Sequence, residues 1–582
     1  MLTETPSASP RERVLPWLVL LALVTAAFLA GFQVPYLVDS DIAFQLKSLE
    51  QWLRGDSPTP ATLSIPDPQD LSRSSRVWSR WWLPGFPYIY APLAATGLPL
   101  AAALRLTSLL LFLAGCAGFL RLAGRAGLPL WARVLYAVSL AAYGLTLGGA
   151  TSLRTVEVLA FAAGPWIALL AFDQSDGEPR PGRLVLAGLA LGATYWIRYS
   201  LFLTALPLLA WMVVRLVRRD PGPQGRRASP GSLAALAFGF VLPIAVLLTL
   251  DLRADEVPAS VHGPAAPSSH LPFLALSMAG GPGLSLFQND HWLTHLVYFS
   301  DSWLPVFRGL DDTRRLATKV VLGIPAALAL AWALVRARRR SSPLAGFATF
   351  VTVAFFLELA ALSLYFGYNY LAYEPQRAAG FLPLVQALVL GEWLAGWRGS
   401  SWLRDRAVPA LGLTLFFAIP LAFTGANFVR NEIGDRLALG YTPSADGLWM
   451  PELSRQNVPE VQAAVKSALR SPGDAVVLAG AESWRGYSAF VPWLEFPQRV
   501  FPVAPYSAPL GTRYRAAADL ASPSSFHTGR SLRLVLVAAR SLVDDGTLPR
   551  LQARFPQAHG WAAVPVPSHS EVAVYWSDLE AR

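Results

Sequence analysis

Runs of about twenty apolar residues recur along the first three quarters of this chain, and no other feature constrains its fold so strongly. A helix needs roughly 20 such residues to cross a bilayer. By that length criterion about eleven segments qualify: 14–35, 98–120, 131–149, 156–172, 184–197, 201–217, 232–250, 316–335, 345–365, 378–397 and 407–425. Of the 582 residues 53% are hydrophobic and only 15% charged, too little polar surface to cover a soluble core of this size. The expected fold class is a polytopic α-helical membrane protein with about eleven transmembrane helices. Arg11 and Arg13 precede a first apolar run too long for a cleavable signal, so it reads as a retained span.

The net charge of +10 reports topology rather than nucleic-acid binding. Its densest clusters, Arg215, Arg218, Arg219, Arg226 and Arg227, then Arg336, Arg338, Arg339 and Arg340, sit in short loops between apolar segments. Basic short loops stay in the cytoplasm. With residues 1–13 inside, alternation also puts Arg121, Arg125, Arg133, Arg398, Arg404 and Arg406 inside. The heavy use of Arg over Lys is that of a GC-rich bacterial genome, so the expected location is a bacterial cytoplasmic membrane. The single cysteine, Cys116, lies in an apolar segment and excludes a disulfide framework within the chain.

This orientation sends four regions outside: a long loop at 36–97, a turn at 151–157, a loop at 251–315 and a segment at 366–377. Within the first loop, Ile42 to Leu53 and Trp78 to Leu93 are amphipathic enough to lie along the membrane interface. Beyond about residue 430 the long apolar runs stop. Short ones at Ala475–Leu478, Leu532–Val537 and Val572–Tyr575 alternate with helix-like stretches such as Val458–Leu469. Residues 429–582 are therefore expected to form an extracytoplasmic α/β domain following a membrane module at 14–428.

Asp39-Ser40-Asp41 follows the first segment directly, at the outer membrane edge. Two carboxylates at this spacing converge on a divalent cation such as Mg or Mn, or divide labour with one as general base. A polar exit from a span looks the same, and only position singles these two out. Arg154 and Glu157 bound the second outer turn, and Arg198 interrupts an apolar stretch at Trp196-Ile197-Arg198-Tyr199. A charge there is costly and marks a functional group by default; snorkelling at a helix end is the plain alternative. Arg377 follows Glu374 and Pro375 at the start of a later span, where an ion pair with Glu374 competes with a ligand role. Trp78, Trp81 and Trp82 suit stacking on a sugar or an isoprenoid, and equally interfacial anchoring. Asp290, His291, His295 and Asp301 are too loosely spaced for a metal motif and suit a solvated or acceptor-binding loop. Carboxylates and arginines thus fall on one membrane face, as needed to deprotonate a hydroxyl and neutralise a departing phosphate.

The acidic pair after the first span, the long amphipathic first loop and the stretch 189–203, Leu-Ala-Leu-Gly-Ala-Thr-Tyr-Trp-Ile-Arg-Tyr-Ser-Leu-Phe-Leu, together resemble the GT-C glycosyltransferase superfamily. Within it the chain is similar to protein O-mannosyltransferase-like and lipid A aminoarabinose transferase-like enzymes. Pro84, Gly85 and Pro87 resemble the end of their first loop. Glu374-Pro375-Gln376-Arg377 followed by Phe381-Leu382-Pro383-Leu384 is similar to their late Arg-Tyr-x-x-Pro region. The resemblance covers residues 14–400. It implies a polyprenyl-phosphate sugar donor, an inverting transfer to a glycan, lipid or protein hydroxyl, and Asp39 or Asp41 as base. Arg154, Arg198 and Arg377 would contact the donor phosphate, with Glu157, Tyr199, Trp81, Trp82 and Glu374 about the substrates. The chain departs from the pattern where Ser40 splits the acidic pair and where Trp196-Ile197 replaces the usual Thr before Arg198. Metal dependence varies in the superfamily, which leaves a cation at Asp39 and Asp41 open. Two other classes share these features: a transporter or flippase of a lipid-linked saccharide, and a non-catalytic scaffold of envelope assembly.

Overall fold

The structure, a computed structural model, describes residues 10–38, 40–67, 70–78, 84–125, 128, 130–147, 149–153, 157–176, 180–197, 199–217, 230–252, 428–438, 447–449, 458–479, 499–503, 525–567, 570 and 572–581, with isolated positions between 321 and 426. The expected spans at 316–335, 345–365, 378–397 and 407–425, and the outer segments 251–315 and 366–377, lie outside the described residues apart from those positions and the first two residues of 251–315.

The chain begins with α1 (Pro10–Gly31), then β1 (Tyr36–Val38), α2 (Ser40–Leu53), β2 (Thr62–Pro66), β3 (Ser74–Trp78) and α3 (Gly85–Ala94). A run of helices follows: α4 (Leu100–Arg125), α5 (Leu130–Leu147), α6 (Glu157–Asp176) after the short β4 (Ser152–Leu153), α7 (Pro181–Ile197), α8 (Tyr199–Val217) and α9 (Pro230–Leu252). Each of the first seven apolar segments is thus a helix. Among the described residues, Val14–Gly31, Leu100–Arg125 and Pro230–Leu250 are long and apolar enough to cross a bilayer. Leu18, Leu29, Leu110, Phe238 and Val241 face outward on these helices, where only lipid can cover them. The chain is a multi-pass helical membrane protein.

Between apolar helices in lipid, close backbone approach replaces hydrophobic burial as the source of packing. Helices α7 and α9 meet this way. A Cβ at Gly188 would strike Leu236 O, one at Gly192 would strike Phe240 O, and one at Gly239 would strike Val185 O. The contact is pinned at the C-terminal end of α7 by Trp196 Nε1, which donates to Pro243 O at 2.7 Å. Gly192→Val is therefore expected to force the helices apart and cost about 1–3 kcal/mol, as overpacking does. Thermal denaturation in detergent measures it, and an unchanged transition would contradict this packing.

After a π-helical turn (Phe428–Gly434) running into α10 (Asp435–Ala438) come β5 (Leu448–Trp449), α11 (Val458–Ala468), β6 (Ala475–Ala479) and β7 (Arg499–Val503). The last described elements are β8 (Leu532–Ala539), α12 (Arg540–Asp544), α13 (Leu548–Gln552), β9 (Ala562–Val564) and β10 (Val572–Leu579). Five of these strands form one sheet in the order β7-β6-β8-β10-β9. β6 is parallel to both β7 and β8, and β10 is antiparallel to β8 and β9. Alternate side chains serve two cores, as the two-residue repeat of a strand dictates. Val476, Val535, Val537, Val572 and Val574 face α11, with Val461 and Val465, in a buried cluster that continues to Leu46 and Leu49 of α2 and Phe86 and Tyr90 of α3. Val477, Leu534 and Leu536 pack with Phe526, Leu551 and Phe555 on the other face.

The loop 36–97 contains a β2–β3 hairpin, and one face of α3 is covered by protein: Phe86 and Tyr90 are fully buried, with their rings stacked at 4.3 Å. The helix packs against α4, α2 and α7. The loop is also clasped by residues beyond 520. Leu71, fully buried, completes the core around Phe526 and Leu534, and its N–H donates to His527 O at 2.7 Å.

Asp70 completes the clasp. The Ser72 hydroxyl, at 2.6 Å, holds its carboxyl below the usual range, helped by the Gly529 and Ser72 N–H groups and Arg73 against some desolvation. A carboxylate depressed on folding contributes stability that is fully present above its unfolded value of about 4 and lost as pH falls through the lower folded value. Asp578, depressed chiefly by its hydrogen bonds from Arg533, acts in the same direction. Cleavage of the loop by an acid-active protease is therefore expected to accelerate between about pH 5 and about pH 2, beyond the protease's own pH response on an unfolded control. Matching profiles for loop and control would contradict the clasp.

Candidate functional site

Three distant stretches of chain meet at one end of the helices. β4, β1 and β5 form a small all-parallel sheet with β1 in the centre. Leu37 pairs with Ser152, Val38 with Leu153, and Tyr36 with Leu448. Parallel strands need long connections, so this pairing gathers segments from the first loop, the second outer turn and the C-terminal part. Leu37 N donates to Thr151 O at 3.0 Å and Tyr36 N to Gly447 O at 3.0 Å. Gly447, at φ +77°, turns the chain into β5 in a conformation that favours glycine.

Tyr36 is fully buried beside the N-terminal half of α4. Its hydroxyl lies 3.4 Å from Ser108 Oγ and donates to Gly149 O at 3.4 Å, while Tyr90 OH reaches the same Ser108 Oγ at 3.0 Å. Burial pushes the Tyr36 phenol up to about 12 against the pull of Ser108, Arg105 and Arg436. Tyr90 is raised too, by burial and then by its neighbour Tyr36. Both phenols stay protonated. Arg105 of α4 stands with its guanidinium over the rings of Phe32 at 4.9 Å and Tyr36 at 5.1 Å, and Nη2 donates to Val34 O.

On the neighbouring strand, Arg436 Nη1 donates to Thr151 O at 2.8 Å. Its Nη2 pairs with Glu432, whose carboxylate accepts Thr151 Oγ1 at 3.1 Å. A π-helical turn, a rare form found often at functional sites, carries Glu432.

Some of the sequence-derived residues adjoin described elements in the sequence. Asp39 lies outside the described residues and follows Val38, the last residue of β1; Asp41 is in the first turn of α2. Arg154 is also outside the described residues and follows Leu153, the last residue of β4; Glu157 opens α6. Arg198, outside them as well, stands between Ile197, which ends α7, and Tyr199, which opens α8. Val38 and Leu153 belong to one buried cluster, and Ile197 packs against it. Gly85 of α3 lies so close to α7 that a Cβ there would stand 2.7 Å from Trp196 O. Trp81, Trp82, Glu374 and Arg377 lie outside the described residues, as do Asp290, His291, His295 and Asp301, and Trp78 ends β3. Among the described residues no three or more His, Cys, Asp or Glu side chains form a metal-binding group. Asp39 and Asp41 would supply two carboxylates to a cation.

Sequence reasoning missed Arg105, Arg436, Glu432 and the tyrosine pair. Arg105 had a usable signal, a charge inside the apolar segment 98–120, which is the same signal that singled out Arg198.

No family model matches the chain, and no curated protein matches it. Solved structures do. It is similar to ArnT from Cupriavidus metallidurans bound to undecaprenyl phosphate, at 14% identity and TM-score 0.46, covering 96% of this chain and 98% of that one. It is similar to the arabinofuranosyltransferase AftD from Mycobacteria at 15% identity and TM-score 0.44, covering 99% of this chain and 40% of that one. It is also similar to the Archaeoglobus fulgidus oligosaccharyltransferase in complex with Zn and sulfate, at 12% identity and TM-score 0.43, covering 95% and 74%. All three are GT-C glycosyltransferases. The likeness is one of fold.

Proposed function

We propose that this chain is an inverting glycosyltransferase that moves a sugar from a polyprenyl-phosphate carrier to an acceptor hydroxyl outside the cytoplasm. The acceptor is a glycan, lipid or protein. The observation that carries the reading is the parallel register of Val38 with Leu153, with Ile197 packed against the cluster that holds both. The residues next in sequence are Asp39, Arg154 and Arg198, one carboxylate and two guanidinium groups.

In this reading Asp39 accepts the proton of the acceptor hydroxyl as its oxygen attacks the anomeric carbon. The bond from that carbon to the carrier phosphate breaks on the opposite face, which inverts the configuration. The electron pair leaves on the phosphate, and Arg154, Arg198 and Arg377 neutralise it with paired N–H donors. Asp41 assists the base, with Glu157, Tyr199, Trp81, Trp82 and Glu374 about the sugar and acceptor. The carrier's isoprenoid tail lies among the spans. Residues 14–428 are the catalytic module of a bacterial cytoplasmic-membrane protein with its N-terminus inside. Residues 429–582 sit outside the cytoplasm on the first loop. A divalent cation at Asp39 and Asp41 would add charge neutralisation at the phosphate.

The phosphate assignment is tested by polarisation of a fluorescent polyprenyl phosphate bound to purified protein. A charged hydrogen bond contributes about 1.5–3 kcal/mol. Arg154→Ala and Arg198→Ala are therefore each expected to weaken binding by about tenfold or more. Unchanged affinity in both variants would remove the phosphate role.

A further inference from the structure

We propose that Arg105 and Arg436 are positioning residues that latch the starts of β1 and β4 and so hold the register of Val38 with Leu153, the residues that precede Asp39 and Arg154 in the sequence. The functional part rests on the glycosyltransferase reading above; the placement part does not.

The two guanidinium groups are 4% and 5% exposed. Burying a charge is costly unless something specific is gained. Each binds a main-chain carbonyl at the point where a strand begins. Arg105 Nη2 takes Val34 O, two residues before β1. Arg436 Nη1 takes Thr151 O at 2.8 Å, one residue before β4. That carbonyl also accepts Leu37 N at 3.0 Å, so Arg436 occupies the acceptor that starts the β1–β4 pairing. Glu432 grips the same residue through Thr151 Oγ1 and balances Arg436.

Arg105 has no carboxylate partner among the described residues. Besides Val34 O it has two aromatic faces, and its Nε has no hydrogen-bond partner. One of those faces is Tyr36, whose own hydroxyl is tied to α4 and to Gly149 O. The first strand is thus fixed at its carbonyl, its ring and its hydroxyl, three residues before Asp39. The second is fixed at Thr151, three residues before Arg154. The two strands are two or three residues long, and their few ladder bonds set their register only weakly. The arginines supply the rest.

Ballast and positioning predict different outcomes. Stability alone does not separate them, because removing one partner of a buried ion pair strands the other charge whatever its role. A shift of about 1 Å at a reacting group costs on the order of a hundredfold in rate. The readout of placement is a cross-link. In a Cys116→Ala background, which removes the only native thiol, Asp39→Cys with Arg154→Cys is expected to oxidise readily to a disulfide. Adding Arg436→Met or Arg105→Met is expected to slow this by about tenfold or more on the same misplacement argument. In parallel, Arg436→Met and Arg105→Met in the otherwise native chain are expected to lower kcat for transfer from a polyprenyl-phosphate sugar by about 10- to 100-fold, with donor KM little changed. Arg105→Lys, which keeps one donor for Val34 O, restores most of it. If either Met variant misfolds, Arg436→Lys and Arg105→Lys carry the cross-link comparison alone, and Arg436→Lys, which cannot serve Thr151 and Glu432 in one plane, is the slower of the two. Unchanged cross-linking in the variants would overturn the proposal. Slowed cross-linking in a protein that transfers no sugar would uphold the latch and sink the glycosyltransferase reading.

Discussion

Replacing Asp39 by Asn is expected to cut sugar transfer by about 10²- to 10⁴-fold, the range that a single general base contributes. Asn matches the carboxylate in shape and keeps an acceptor oxygen, so the acceptor still binds. It cannot take the hydroxyl proton, so the loss falls on kcat. The donor phosphate is assigned to arginines on other segments, and donor KM is expected to stay within about threefold, as when only a transition-state interaction is removed. The same change at Asp41, inside the first turn of α2, is expected to cost less than about tenfold on that reasoning. Steady-state kinetics with one polyprenyl-phosphate sugar and its acceptor checks both. A larger loss at Asp41 than at Asp39 would move the base to α2, and two silent variants would remove carboxylate chemistry from this end of β1.

The second large effect is structural. Leu71→Ala is expected to destabilise the C-terminal sheet and its junction with the first loop by about 2–5 kcal/mol, the cost of truncating a buried leucine. Leu71 is fully buried in the core that Val477, Phe526, Leu534 and Phe555 share. It enters that core from a loop more than four hundred residues earlier in the chain. Loss of the side chain leaves a void and weakens the hold of Leu71 N–H on His527 O. Hydrogen exchange in β6 and β8 is expected to accelerate by about thirtyfold or more. Unaltered protection there would show that the loop merely rests on the sheet.

The helical membrane module was legible because long apolar runs have few readings. Each of the first seven segments is a helix within a few residues of its expected limits, and the break at Trp196–Tyr199 is real: α7 stops at Ile197 and α8 starts at Tyr199. The strands β6, β8 and β10 were likewise visible as short apolar runs. What sequence could not give is which distant pieces touch. β1 and β4 are too short to carry an alternation pattern, and their parallel pairing depends on how α1 packs on α5 and α4 on α6. β5 joins that sheet from beyond residue 440 with two residues. The apolar face of α3 poses a related problem. An amphipathic helix shows that it has an apolar partner, not which parts of the chain supply it, here α2, α4 and α7.

The candidate site divides the same way. Asp39, Arg154 and Arg198 stood out through cost and position, and the described residues before each of them pack together. Arg436 did not stand out. An Arg four residues after a Glu is the commonest of surface pairs, and only the structure shows it buried on Thr151.

The central claim meets its most direct test in a transfer assay with the purified full chain in detergent, offered a panel of polyprenyl-phosphate sugars, acceptor glycans, lipids and peptides, with and without EDTA. The expected result is a sugar moved to a hydroxyl with inverted anomeric configuration and release of polyprenyl phosphate, lost in Asp39→Asn. Activity that survives EDTA would place the whole burden of charge neutralisation on the arginines. A folded protein that binds no polyprenyl phosphate and transfers nothing, or one that moves intact lipid-linked saccharide across liposomes with Asp39→Asn tolerated, would contradict it.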